Sequence, residues 1–334
     1  MKKFLIFISI IFASISFALT DDVISFLKQN DSYISNELTF EKNMIEYENT
    51  NITADSTISK LNAQIMYYSA LSQYQNGKLN FYKGVISTLF SVNINKLNLE
   101  IKKLTFENAQ KNYENSKEQC EKNLISNVDL IKAEYDMENA QYNLKVAQSD
   151  LDDSIREFKK YFNFEENYVV DINYISLEAT NIDTLPDYMV QKLNYLILSN
   201  EFEAVKDYLS EADKRKKEID LTLSKINLDN LKENIEDTIL SIKEDLEFLK
   251  LELKVLDLNK EYQKENLNDF KNRYEKGLIE KEQYNQAYIS YLSTLMQIET
   301  KKMNYINELL ELAKYSERSF EDILKEAIVV KWGE

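Results

Sequence analysis

The side chains that carry most nucleophilic and metal chemistry are almost missing from this sequence. Its 334 residues include no His and one Cys, Cys120. Serine–histidine and cysteine–histidine nucleophile systems cannot be assembled from it, nor can a His/Cys metal cluster or an internal disulfide. No GxxxxGK[ST] run is present to cradle a phosphate chain. Carboxylates are plentiful, 57 Asp and Glu against 41 Lys and Arg, but they are interleaved with Lys at helical spacing, as solvated helix faces are. A net charge of -16 is the wrong sign for displacing counterions from a phosphate backbone, so nucleic acid is excluded as a partner. The expectation is a non-enzyme with no cofactor and no metal.

What stands out instead is a matched pair of short segments. Glu121-Lys122-Asn123-Leu124-Ile125 and Glu275-Lys276-Gly277-Leu278-Ile279 share four of five residues. Gly277 stands where Asn123 stands, and these are the two residue types that best tolerate a left-handed backbone. Each segment therefore reads as a chain reversal. What such a turn can offer chemically is recognition through its exposed side chains.

Long helices must position these turns. With 4 Gly and 1 Pro the chain cannot turn often, so it is built from few, long elements. Ile235, Ile239, Ile242, Leu246, Leu249, Leu253 and Leu256 alternate steps of four and three, the signature of a coiled-coil seam. The spacing runs on to Phe270 and Tyr274, stops at Gly277, and resumes through Tyr284, Tyr288, Tyr291, Leu295, Ile298, Tyr305, Leu309 and Leu312. That pattern predicts an antiparallel helical hairpin. In the first half, Leu130, Met137, Leu144, Leu151 and Phe158 recur every seventh residue beside a line of small residues, Ala133, Ala140, Ala147 and Ser154, which lets a neighbouring helix come close. The two halves are internal repeats, and thin hairpins of this length need neighbours along their sides.

Residues 58–92 read differently. Alternating residues on both sides of Asn76-Gly77 predict a strand hairpin of membrane-spanning length. In the second half only a reduced strand region is legible at about 214–228. At the start, Met1-Lys2-Lys3, an apolar run from Phe4 to Phe17 and small residues at Ser16 and Ala18 predict a signal peptide cleaved after Ala18.

Taken together, these residues resemble the outer-membrane efflux protein family, the TolC-like channels. The family's reversal motif, roughly [YF]-x-x-G-[LT]-I-S-x-x-[DE]-[VL]-[LI]-x-A, is matched by Tyr274 to Glu280 with Ala287 in register, and by Asn123 to Ala133. The resemblance implies a mainly α fold: two tandem repeats of long antiparallel coiled-coil hairpins, with a small β-hairpin portion contributing to an oligomeric β-barrel. The implied boundaries are a signal peptide at 1–18 and a first repeat at 19–167, with strands about 58–92 and a helical hairpin about 94–162. A linker at 168–186 and a second repeat at 187–318, with its helical hairpin about 230–316, would follow, and then a tail at 319–334. The implied function is a passive homotrimeric conduit in the cell outer membrane, in contact with its lipid. It would belong to a tripartite efflux or type I export system and dock to a periplasmic adaptor and an inner-membrane transporter. Asn123, Leu124, Ile125, Ser126, Gly277, Leu278 and Ile279 would form the adaptor-facing tips. Asp129, Glu280 and Glu282 would be aperture acids, the family's acidic position being Asp129 in the first copy and Gln283 in the second. The rival reading is a periplasmic or surface coiled-coil structural protein that has lost its barrel.

Overall fold

The computed structural model describes residues 16–18 and 21–332. The expected signal peptide lies outside the described residues except for its last three, Ser16–Ala18, which form a short strand β1. After it come helices α1 (Asp21–Leu27), α2 (Asp31–Thr53), α3 (Thr57–Glu121) and α4 (Asn127–Tyr161), then strand β2 (Tyr168–Ile172). The second half supplies α5 (Pro186–Val205), α6 (Glu211–Glu275), α7 (Lys281–Ala313), α8 (Phe320–Ala327) and strand β3 (Ile328–Trp332).

The repeat is visible in the element boundaries. Thr57 and Glu211, Glu121 and Glu275, and Asn127 and Lys281 open or close matching helices, each pair separated by 154 residues. α3 and α6 both have 65 residues, so each is a rod about 100 Å long. Ser side chains start these rods. Ser56 and Ser59 form a capping box at the head of α3, and Ser210 accepts from the Asp213 amide at the head of α6.

Towards the reversals the helices stand in one row, with α4 on α3, α3 on α7 and α7 on α6. The expected seams are the inner faces of this row. Ile235, Ile239, Ile242, Leu246, Leu249 and Leu253 are buried, as are Ala133, Ala140, Ala147 and Ser154. At the far end the row is α2, α3, α5, α6. Between the two lies the one wide core. Its fully buried centre is Tyr82, Ile86, Leu89 and Phe90 of α3 with Tyr305, Ile306, Leu309 and Leu310 of α7. Phe158, Phe162, Phe164 and Tyr168 pack ring on ring beside it, and the Tyr168 hydroxyl donates to the Leu89 carbonyl at 2.6 Å.

The strand expectations need correcting. Residues 58–92 are not a strand hairpin but the first half of α3, and 214–228 lie within α6. The alternation misled because this part of α3 is covered on several sides by α2, α5, α7 and α8. A helix buried all round carries no single period. Asn76-Gly77 is not a turn: a Cβ on Gly77 would collide with the Asn36 side chain, so the glycine makes room for that side chain between α2 and α3. There Asn36 donates to the Tyr74 carbonyl at 3.1 Å. The 168–186 linker is an ordered part of the core, with Tyr168, Val170, Leu177 and Leu185 buried. Of the expected tail, residues 319–332 are described: β3 is the centre of an antiparallel sheet of order β1-β3-β2, and α8 carries the buried Glu321.

Candidate functional site

No described group of His, Cys, Asp and Glu is arranged to hold a metal ion, and no described helix is long and apolar enough to cross a membrane. The features that point outward are the two reversals and the edges of the helix row.

The reversals are built alike. Asn123 has φ 55° and Gly277 has φ 68°, both left-handed. Leu124 donates its amide to the Gln119 carbonyl and Asn123 to Cys120; Leu278 donates to Arg273 and Gly277 to Tyr274. These paired i+5 and i+3 bonds close the last helical turn around a left-handed residue, which is why Asn or Gly is required there. In consequence Leu124 and Leu278 are thrust out, 71% and 67% exposed. Ile125 and Ile279 tuck partly back, and Ser126 caps α4. The start of α7 lies beside α3, where Lys281 pairs with Glu107 at 2.9 Å and the buried Asn285 donates to Asn108 at 2.8 Å. The row therefore ends with both reversals on the same side of the molecule.

The three expected aperture acids have different settings. Asp129 accepts from the Ser126 amide at 3.1 Å and hydroxyl at 2.7 Å, and these bonds hold its carboxyl below the usual range. Its first task is capping α4. Glu280 occupies the corresponding cap position of α7, where its amide donates to Gln283. Glu282 is exposed in the first turn of α7 and shares a cleft with Glu280, Glu107 and Glu114.

The edges of the row were not anticipated from sequence. Val128, Ile131, Tyr135 and Tyr142 of α4 are between 56% and 74% exposed. Leu240, Phe248, Leu251, Val255, Leu258 and Tyr262 of α6 are between 56% and 64% exposed. Leu240 apart, both sets keep coiled-coil spacing on the side of their helix away from the buried seam. Followed away from the reversals, the α4 stripe reaches exposed Arg156 and Lys160, and the α6 stripe reaches exposed Glu244 and Asp237. Arg156 and Glu244 are each about 30 residues, or about 45 Å of helix, from their reversal. Two edges of matching length and similar apolar spacing thus face opposite ways. A signal was present in Phe248-Leu249-Lys250-Leu251-Glu252-Leu253, which holds more apolar residues than one seam consumes.

No protein-family model matches the chain, and no curated protein sequence matches it. Solved structures do. The CmeC outer membrane channel of Campylobacter jejuni aligns over 91% of this chain and 88% of its own, with 12% identity and a TM-score of 0.53. The outer membrane protein VceC of Vibrio cholerae aligns over 91% and 95%, with 10% identity and a TM-score of 0.52. CusC, described for its transmembrane channel formation, aligns over 90% and 93%, with 11% identity and a TM-score of 0.52. At these identities the likeness is one of fold, and the chain has the TolC-like fold of outer-membrane efflux channels.

Proposed function

We propose that the chain is the channel component of an outer-membrane efflux or export system, a passive conduit formed by a closed ring of three copies. The observation that carries this is the pair of unpartnered apolar stripes on opposite edges of the helix row. A stripe on α4 that fits a stripe on α6 makes a head-to-tail contact, and head-to-tail contacts close into rings when the rotation permits. Three copies of a four-helix row give a hollow wall of twelve rods. The sequence has no GxxxxGK[ST] run, and a conduit of this kind would draw its energy from a partner. The exposed Leu124 and Leu278, with Asn123, Ile125, Ser126, Gly277 and Ile279 around them, form the surface to meet a periplasmic adaptor linked to an inner-membrane transporter. Asp129, Glu280 and Glu282 bring negative charge to that end, which favours cations by the close-range electrostatics of pores.

One observation favours the rival reading. α2 passes to α3 through Ala54–Ser56 alone, and α5 passes to α6 through Lys206–Ser210. Neither connection contains a strand, so a helical structural protein of the envelope is the second reading. Membrane fractionation followed by conductance in a planar bilayer tests the choice. Trimeric membrane-extracted protein that conducts supports the channel, and a soluble monomer that never conducts refutes it.

A further inference from the structure

A cavity opens on the face of the row that carries β2. There α3, α6 and α7 meet the segment 167–174 around about 730 Å³ of space, a volume usual for small-molecule sites. Its apolar lining comes from Leu97 of α3, Leu253 of α6 and Leu295 and Ile298 of α7. Two charged groups in the lining are left incompletely matched by the fold. Glu299 is 12% exposed at its side chain. Its Oε1 accepts from Lys302 at 3.1 Å, whereas its Oε2 is buried with no hydrogen bond of its own, although the Asn93 side chain lies nearby. Lys302 is already committed, donating to the Val170 carbonyl at 2.7 Å and to Asp171 at 3.4 Å. Lys96 follows Asn93 by one turn of α3 and donates to the Glu166 carbonyl. Partial burial holds its ammonium below the usual range, against the pull of the Glu166 charge, and it forms no direct ion pair among the described residues. A buried carboxylate oxygen without a partner costs the fold stability, and a perturbed charge in a cleft marks a candidate binding place.

We propose that this cavity binds a small zwitterion with an apolar body, in its simplest form a hydrophobic dipeptide with free ends. Its ammonium meets Glu299, its carboxylate meets Lys96, and its side chains lie on Leu253, Leu295 and Ile298. An ammonium brings three donors and no acceptor, which suits a carboxylate with an oxygen to spare. The other charges of the lining are matched internally, Lys260 with Asp257 at 2.9 Å and Lys302 with Asp171 and Glu299. What remains for a ligand is one acceptor oxygen and one cation, and these two do not pair with each other. A purely anionic ligand would face Glu299 with like charge, and a purely cationic one would face Lys96 in the same way. The site lies within one copy. Leu253, Asp257 and Lys260 face it from the side of α6 opposite Leu251, Val255, Leu258 and Tyr262, so a ring closed on that stripe does not cover it.

Calorimetric titration of the detergent-solubilised full-length chain with leucyl-leucine tests this. One site per copy is expected. Acetylating the amino end or amidating the carboxyl end of the dipeptide should each weaken binding by at least about tenfold, because each removes one charge-assisted contact. The variants should cross with the analogues. Lys96→Met should bind the dipeptide and its amide equally while still rejecting the acetylated form. Glu299→Gln should do the reverse, no longer telling the dipeptide from its acetylated form while still rejecting the amide. A general loosening of the fold would not produce that crossed pattern. If a variant fails to fold, the analogue series on the parent decides the point alone. No binding at millimolar dipeptide overturns the proposal, and so does a parent that binds all three peptides equally. A chain that binds the dipeptide but stays monomeric would leave this site standing and refute the ring.

Discussion

Leu258→Asp offers the sharpest test of ring closure. In the isolated chain Leu258 is 61% exposed, so the substitution should change the stability of the single copy by no more than about 0.5 kcal/mol. Covering a Leu fully is worth about 1.5–3 kcal/mol, so the exposed part has about 1–2 kcal/mol to contribute when a neighbour covers it. Burying a carboxylate in its place adds at least about 1 kcal/mol. A total near 2 kcal/mol per seam becomes about 6 kcal/mol over three seams, or about 10⁴ in the assembly constant. For a monomer–trimer equilibrium the half-assembly concentration follows the square root of that constant, so it should rise about 100-fold. Light scattering coupled to size-exclusion chromatography in detergent, over a range of loading concentrations, reads this directly. Leu253→Asp provides the contrast: Leu253 is buried inside the copy, so that variant should unfold rather than merely dissociate. A Leu258→Asp protein that assembles at the parent's concentration would refute the reasoning, as would a parent that is monomeric throughout.

Three further predictions concern single copies. Gly277→Val should cost about 1–2 kcal/mol in chemical denaturation, because nothing lies within 4 Å of the new Cβ and only the left-handed backbone resists it. Gly277→Asn should cost much less, as Asn123 shows in the first repeat; equal losses for both would contradict this account. Glu321 is 8% exposed at its side chain, pairs with Lys78 at 2.8 Å and accepts from Tyr82 at 2.9 Å. Glu321→Gln leaves Lys78 unpaired in a largely buried place and should cost about 3 kcal/mol at neutral pH. Burial alone would raise the Glu321 carboxyl, but Lys78, a backbone bond and Tyr82 hold it below the ordinary value. Its contribution is therefore present above the unfolded pKa and lost as pH falls through the folded one, so the variant's deficit should shrink in acid. Glu299 behaves oppositely: burial raises its carboxyl, outweighing Lys302 at 3.1 Å. The charged form is penalised at neutral pH and relieved as pH falls through the raised pKa. Glu299→Gln should then melt no lower than the parent at neutral pH, with the difference vanishing in acid. A large loss of melting temperature at neutral pH would count against it.

The long hairpins were readable because each has one buried seam at a single period. The Ile235–Leu253 and Ala133–Ser154 lines are inner faces in the structure. The reversals were readable because two positions demand a left-handed backbone and the rest of each segment repeats. The first half of α3 was not, since Leu79 to Val92 meet partners on several sides and the period dissolves. Asn76-Gly77 compounded the error, because room for a neighbouring side chain and tight turning select the same residue type. The edge stripes went unread for a related reason. On α6 a second seam is laid over the first, and their sum looks like general hydrophobicity until one set is known to be buried.

The unbroken run of α6 constrains how this chain can change over time. The rod packs on α5 through Ser224 and Leu228 at one end and on α7 through Leu246, Leu249 and Leu253 at the other. A single residue inserted midway would turn one end by about 100° against the other, so that one of the two packings would have to come apart. Seven added residues leave a mismatch of only about 20°, and eleven leave about the same with opposite sign. Growth or shortening of the rod is thus tolerated in whole-heptad steps or steps of eleven. Its counterpart α3, held at both ends in the same manner, obeys the same rule, and the two rods have the same 65 residues.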